Sequence, residues 1–159
     1  MPDSNVKSTL SADAQKITGE ALQSALVDLI DLSLLAKQAH WNVVGRNFRS
    51  IHLQLDEVVN TARSWMDVFG ERAVTIGVTP DGRASTVAEA SGLSSIEPGW
   101  LKDTAVVEKF VEIYGVIIGR MRGRIAETEH SDQVTQDLFM SATAELEKQH
   151  WMLQAERDI

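Results

Sequence analysis

The sequence predicts an all-α protein: four long helices, with a short extra helix in the long connection between helices two and three. Three observations carry that prediction. Apolar residues recur at intervals of three and four over four long stretches. No stretch alternates apolar and polar residues as a half-buried strand would. Finally, Gly77, Pro80, Gly82, Gly92, Pro98 and Gly99 fall together between residues 77 and 101, so the helical pattern is interrupted once, and at length.

Residues 1–10 form a polar arm, expected to be flexible, and residues 11–159 are expected to be one domain with a substantial core. Ser11 is an N-cap candidate for a first helix running to about residues 40–42, with Ile17, Leu22, Leu26, Leu29, Ile30, Leu34 and Leu35 as its stripe. Gly45 breaks it. The second helix reads from about Asn47 to Thr75 through Phe48, Ile51, Leu55, Val58, Val59, Ala62, Trp65, Met66 and Phe69. Within the connection, residues 85–91 suit one or two helical turns capped by Ser85 or Thr86. A connection this long is explained if it runs the length of a bundle, so that the third helix starts at the right end. That helix spans about 103–127 with Val106, Val107, Phe110, Tyr114, Ile117, Ile118, Met121 and Ile125 inward. After a break at His130-Ser131, Ser131 is expected to cap a fourth helix to about Glu156, burying Val134, Leu138, Ala142, Leu146 and Leu153. Four long helices with one long crossover describe a ferritin-like four-helix bundle.

Composition narrows the function. There is no run of about 18 apolar residues for a membrane span. The N-terminus lacks the basic start and apolar stretch of a secretory signal, and with no cysteine there is neither disulfide framework nor thiolate chemistry. A cytoplasmic location is the expectation. The formal charge of −8 disfavours nucleic acid and suits a protein that gathers cations, although moderate acidity also simply keeps proteins soluble.

Five residues of the first two helices are metal-ligand types: His40, His52, Asp56, Asp67 and Glu71. Four of them form pairs spaced by four, His52/Asp56 and Asp67/Glu71, so each pair shares a helical face one turn apart. Imidazole with carboxylate suits iron, zinc or manganese, and carboxylates hold iron well once it is ferric. Taken singly, each residue is what a solvated helix face offers. Together, with two of only four histidines, they point to a site. At about 100° per residue the four on the second helix fall within roughly 100° of one another. Yet Asp56 and Asp67 lie about 16 Å apart along the axis, whereas ligands sit about 2.0–2.2 Å from their metal. One chain cannot close both pairs on one ion. An antiparallel copy of the same helix can, giving two equivalent sites across a twofold axis. His40 ends the first helix and His52 lies about one turn into the second, at nearly the same height.

Two Glu-x-x-His strings, Glu127–His130 and Glu147–His150, fit the pattern of a metal site inside one bundle. Around a turn near residue 130, however, Glu127 and Glu147 differ in height by roughly 20 Å. They cannot share a metal.

The strings Lys37-Gln-Ala-His40-Trp-Asn-Val-Val-Gly45, His52-Leu-Gln-Leu-Asp56 and Asp67-Val-Phe-Gly-Glu71-Arg-Ala73 resemble the Dps family, the DNA-binding proteins from starved cells. The resemblance spans all four helices, including the Trp151 region, with no departure in the His-x11-His-x3-Asp-x10-Asp-x3-Glu spacing. It implies a homo-oligomer, a shell of twelve ferritin-like subunits with ferroxidase sites at dimer interfaces. There Asp67 and Glu71 of one subunit and His40 of another bind ferrous iron, and His52 and Asp56 complete the site, with one or two irons per site. The implied chemistry is iron oxidation, preferably by hydrogen peroxide, with ferric mineral stored in the cavity and protection against oxidative stress. Trp41 would intercept oxidising equivalents or serve as an aromatic anchor of the interface. Asp132 and Asp137 correspond to acidic pore positions, though Asp132 also suits a helix N-terminus. Glu57 is a candidate to seed mineral.

The family's name promises DNA binding, but the residues do not. The N-terminal arm offers Lys7 alone before Lys16, against Asp3 and Asp13, and Glu156-Arg-Asp-Ile159 is not basic. Arg120, Arg122 and Arg124 splay around their helix instead of tracking phosphates. A third class is a metal–hydroxide hydrolase of amides or esters. Nothing in the sequence specifies its organic substrate pocket.

Overall fold

The computed structural model describes residues 5–157. The first four residues of the expected arm and the last two of the chain lie outside them. The element order is α1 (Ala12–Asn42), β1 (Val43–Val44), α2 (Phe48–Thr75), α3 (Ala84–Ala90), β2 (Leu101–Lys102), α4 (Asp103–Thr128) and α5 (Gln133–Ala155). The four long helices and the short α3 stand where the sequence places them. α1 packs along α2, α4 along α5, and α1 against α4.

Ser11 caps α1 as expected, its hydroxyl accepting from the Ala14 amide at 3.3 Å. The α1–α2 turn depends on Gly45, whose φ of 143° is left-handed. A Cβ there would lie 2.3 Å from the Asp103 carboxyl carbon. That close approach is used: the Asp103 carboxylate accepts from the Asn47 amide at 2.7 Å, a donor at the start of α2 that the Asn47 side chain does not cap.

A feature absent from the sequence reading joins the same end of the bundle. β1 and β2 form a two-residue parallel ladder, Val43 beside Leu101 and Val44 beside Lys102. It ties the α1–α2 turn to the end of the crossover. The crossover therefore does run the bundle's length, from the C-terminus of α2 back to the turn that precedes it.

Two caps differ from expectation. α3 begins at Ala84, ahead of Ser85 and Thr86; Asp81 organises its start, accepting from the Arg83 amide at 3.1 Å and the Thr86 hydroxyl at 2.8 Å. α5 is capped by Asp132, which accepts from the Val134 amide at 3.3 Å, while Ser131 is engaged by the Thr18 hydroxyl. At α5 a carboxylate, the stronger acceptor for backbone N–H, takes the role expected of a hydroxyl, whereas α3 starts at Arg83 with no side-chain cap.

The core is built on Leu22, Leu29, Leu32, Ile51, Leu55, Phe69, Phe110, Tyr114, Ile117, Met121, Phe139 and Leu146. Burying each large side chain contributes about 1.5–3 kcal/mol. Ile17, Leu34, Phe48 and Val134 are exposed instead of joining it. For Val134 the reason is phase: it lies about 140° around the axis from Phe139, at about 100° per residue, and Phe139 faces the core with Ala142, Leu146 and Leu153. Among the described residues, no helix is long and apolar enough to cross a membrane.

Candidate metal centre

The last turn of α1 and the first turns of α2 meet face to face at His40 and His52. A helix ends with carbonyls that lack intrahelical partners, and at α1 the His40 carbonyl is one of these. His52 Nδ1 donates to it at 3.0 Å, while His40 Nδ1 donates to the His52 carbonyl at 2.9 Å. The exchange stacks the rings, with centroids 3.6 Å apart and planes 23° apart. A carbonyl only accepts, so each Nδ1 carries its proton. The lone pair of each neutral ring is thereby assigned to Nε2, the arrangement that outer hydrogen bonds impose on metal-binding imidazoles.

Asp56, one turn beyond His52 on α2, completes the group. One potential ligand atom from each of His40, His52 and Asp56 lies within 4.8 Å of the others, and this is the one such cluster among the described residues. His40 is buried, while His52 and Asp56 are half-buried. Asp56 Oδ1 lies 3.4 Å from His40 Nδ1 and forms a very short contact with the Lys37 ammonium. The hydrogen bond from Lys37, aided by the nearby imidazoles, holds the Asp56 carboxyl below the usual carboxylate range. Lys37 was not singled out in the sequence. Its signal was there to read: it lies one turn before His40 on the same face of α1.

Asp67 and Glu71 stand apart. Both are exposed, their carboxylates carry no hydrogen bond or ion pair among the described residues, and both line a shallow open recess with Met66 and Gly70. The structure thus brings three of the five sequence-predicted ligands together and leaves two at the far end of α2. The cation next in sequence to Glu71 is directed elsewhere: Arg72 Nη2 donates to Asp132 at 2.6 Å and its Nε to the Thr135 hydroxyl at 3.0 Å.

The remaining candidates are dispersed. Trp41, beside His40, is 67% exposed. Glu57 and Asp137 are exposed. Asp132 is not an open acid but a buried helix cap paired with Arg72. Burial pushes its carboxyl upward, yet Arg72 and Thr135 outweigh that and hold it below the ordinary range. Of the two Glu-x-x-His strings, His130 lies in the turn after α4, Glu147 pairs with Arg122, and His150 stacks against Tyr114. They form no common site.

Residues 19–158 match the family model described as a ferritin-like domain. The DNA protection during starvation protein of Agrobacterium fabrum is 30% identical over 156 residues, covering 98% of this chain and 96% of that protein. DNA protection during starvation protein 2 of Deinococcus radiodurans is 34% identical over 136 residues, 86% of this chain; the chain spans 56% of that relative's length. The tetragonal crystal form of Mycobacterium smegmatis Dps superposes with a TM-score of 0.90 at 30% identity, covering 97% of this chain and 93% of that one.

Proposed function

The chain belongs to the ferritin-like Dps family, and from that premise we propose that it oxidises ferrous iron, with hydrogen peroxide as oxidant, at sites shared between two copies, and stores the ferric product inside a hollow shell of twelve. The observation that carries this reading is the convergence of His40, His52 and Asp56, one potential ligand atom of each lying within 4.8 Å of the others. With each Nδ1 donating to a carbonyl, Nε2 is the ring nitrogen left to take a cation. Asp67 and Glu71 supply the complementary half. Their exposure and lack of partners suit carboxylates that receive a metal facing another subunit's imidazoles.

In this reading Asp67 and Glu71 of one subunit and His40 of the other hold ferrous iron, the reaction's substrate. His52 and Asp56 serve through water or at a second position, which requires the Lys37 ammonium to leave Asp56. Two ferrous ions give one electron each to one peroxide, which takes up two protons and leaves as two waters, so no hydroxyl radical is released. The ferric product prefers oxygen ligands and moves into the cavity as mineral. The charge of −8 per chain draws ferrous ions to the shell. Asp137 and Glu57, both exposed, remain candidates for pore and nucleation roles, whereas Asp132 is committed to Arg72. Trp41 stands exposed beside His40, where it would anchor the interface or intercept oxidising equivalents.

The test is an assay of peroxide-driven iron oxidation beside ester and amide hydrolysis, in the protein and in Asp67→Ala/Glu71→Ala. Iron oxidation that depends on those carboxylates, without hydrolysis, is the expected result. Oxidation undiminished in the double variant would refute the site. The relatives' names raise DNA protection as a second reading. The residues disfavour direct binding, and no gel shift is expected at about 150 mM salt, where phosphate contacts are strongly screened. A clear shift there would contradict this.

A further inference from the structure

We propose that the groove between α1, α4 and the crossover is a binding site for a small oxyanion, a carboxylate or phosphate on a compact body, held by Arg120 and Arg124. At its floor, Asp28 is 2% exposed and each of its oxygens receives a different guanidinium. Arg120 Nη1 lies 2.6 Å from Oδ1 and Arg124 Nη2 2.5 Å from Oδ2. Two cations therefore share one anion. Among the described residues, no second carboxylate lies within ion-pair distance of either arginine. The cluster keeps one uncompensated positive charge in a chain whose net charge is −8. Arg124 is 6% exposed, and arginine does not shed its proton in proteins. Arg124 is paired with Asp28, so the spare charge falls to the half-open Arg120, where an incoming oxyanion would supply the second anion.

The donors for it are in place. Each guanidinium has five N–H groups. Arg124 spends its own on Asp28, on the Ser24 hydroxyl at 3.0 Å and on the Met121 sulfur at 3.6 Å. Arg120 reaches only Asp28 and the Gly92 carbonyl, at 3.3 Å, and its side chain is 35% exposed. Spare N–H groups remain on both, and planar guanidiniums suit two-point contact with an oxyanion.

The groove is also fixed in shape. Gln15 Nε2 donates to the Ile76 carbonyl at 2.8 Å, and Gln23 exchanges two 2.8 Å hydrogen bonds with the Asp81 backbone, pinning the crossover against α1. A Cβ on Gly92 would come within 2.7 Å of Arg120 Nη2, so a glycine lets the guanidinium lie against that wall. The open groove has a volume of about 900 Å³, with Val27 and Val78 as apolar walls, in the size range of small-molecule sites. A structural tie between α1 and α4 would need one arginine for one aspartate. The second arginine, half-open to the groove, is what the oxyanion accounts for.

Isothermal titration calorimetry on the assembled protein, with sodium phosphate and separately with sodium hexanoate in low chloride, tests this. Saturable binding of at least one probe is expected, weakened about tenfold or more in Arg120→Gln, the scale of one charge-assisted hydrogen bond. Asp28→Asn removes the internal competitor. It should bind the probe more tightly, and the probe should raise its thermal midpoint more than the unaltered protein's. Binding of phosphate alone assigns a phosphate ligand, and binding of hexanoate alone an organic carboxylate. No saturable binding of either probe, or binding unchanged in Arg120→Gln, overturns the proposal. If Asp28→Asn does not fold, the Arg120→Gln comparison decides alone.

Discussion

The two ends of α2 carry the same kind of motif and treat it in opposite ways. At the N-terminal end, His52 and Asp56 are locked: the histidine is stacked and tied to a helix-terminal carbonyl, and the aspartate is engaged by Lys37. At the C-terminal end, Asp67 and Glu71 stand open and unpaired, and the adjacent Arg72 is turned to Asp132. Equal spacing therefore does not mean equal preorganisation. One half of the proposed site is ordered by its own chain, where the end of α1 accepts a hydrogen bond from His52 and returns one through His40. The other half offers bare charge, and the proposal places its complement in another copy.

That contrast predicts different costs for the two halves. Removing the open half, in Asp67→Ala/Glu71→Ala, should lower peroxide-driven iron oxidation about 100-fold or more, as losing groups that touch the metal costs at least the 10–100-fold of losing those that only hydrogen-bond its ligands. Its folding stability by urea titration should change by no more than about 0.5 kcal/mol, as expected for surface positions. His52→Ala at the locked half should lower activity by about 10–100-fold, the cost of a partner that acts through water, and also lose about 1–2 kcal/mol of stability, because the His40 carbonyl loses its donor. Equal stability losses at the two ends would break the comparison.

Smaller effects sharpen it. Asp132→Asn should cost about 1–3 kcal/mol at neutral pH through the weakened Arg72 pair. The Asp132 carboxyl is held below its ordinary value in the folded protein, so its stabilisation is full above the unfolded value, about 3.9, and fades as pH falls through the folded one. The stability gap between variant and unaltered protein should therefore narrow in urea titrations as pH drops below about 4. A gap independent of pH would contradict that assignment. Lys37→Gln should relieve Asp56 of its internal cation, allowing its carboxyl to titrate nearer the ordinary range and raising ferrous affinity at that position about tenfold, the scale of one charge-assisted contact in calorimetric titration.

Much of this was legible in the sequence. Periodicity placed the four helices, and the register of five ligand-type residues already implied that one chain could not close both pairs. What escaped it depends on contacts between distant segments. A two-residue ladder is too short to show alternation. Asp81 braces the start of α3 and Asp132 caps α5 where hydroxyls offered themselves nearer the expected starts. The Asp28–Arg120–Arg124 cluster joins residues almost a hundred positions apart. Lys37 was hidden for a different reason: a lysine on a helix face reads as solvent exposure until the second helix places a carboxylate over it. Ile17, Leu34, Phe48 and Val134 joined the predicted stripes, yet they lie on the surface.

The central claim, that each site is assembled from two chains, is tested by mixing two inactive variants, His40→Ala/His52→Ala and Asp67→Ala/Glu71→Ala, through dissociation and reassembly. In a twofold dimer with one subunit of each kind, one of the two sites receives an intact half from either chain. Random reassembly should then restore about a quarter of the unaltered protein's peroxide-driven iron oxidation. Mixed assemblies that form normally but remain as inactive as their parents would contradict a shared site.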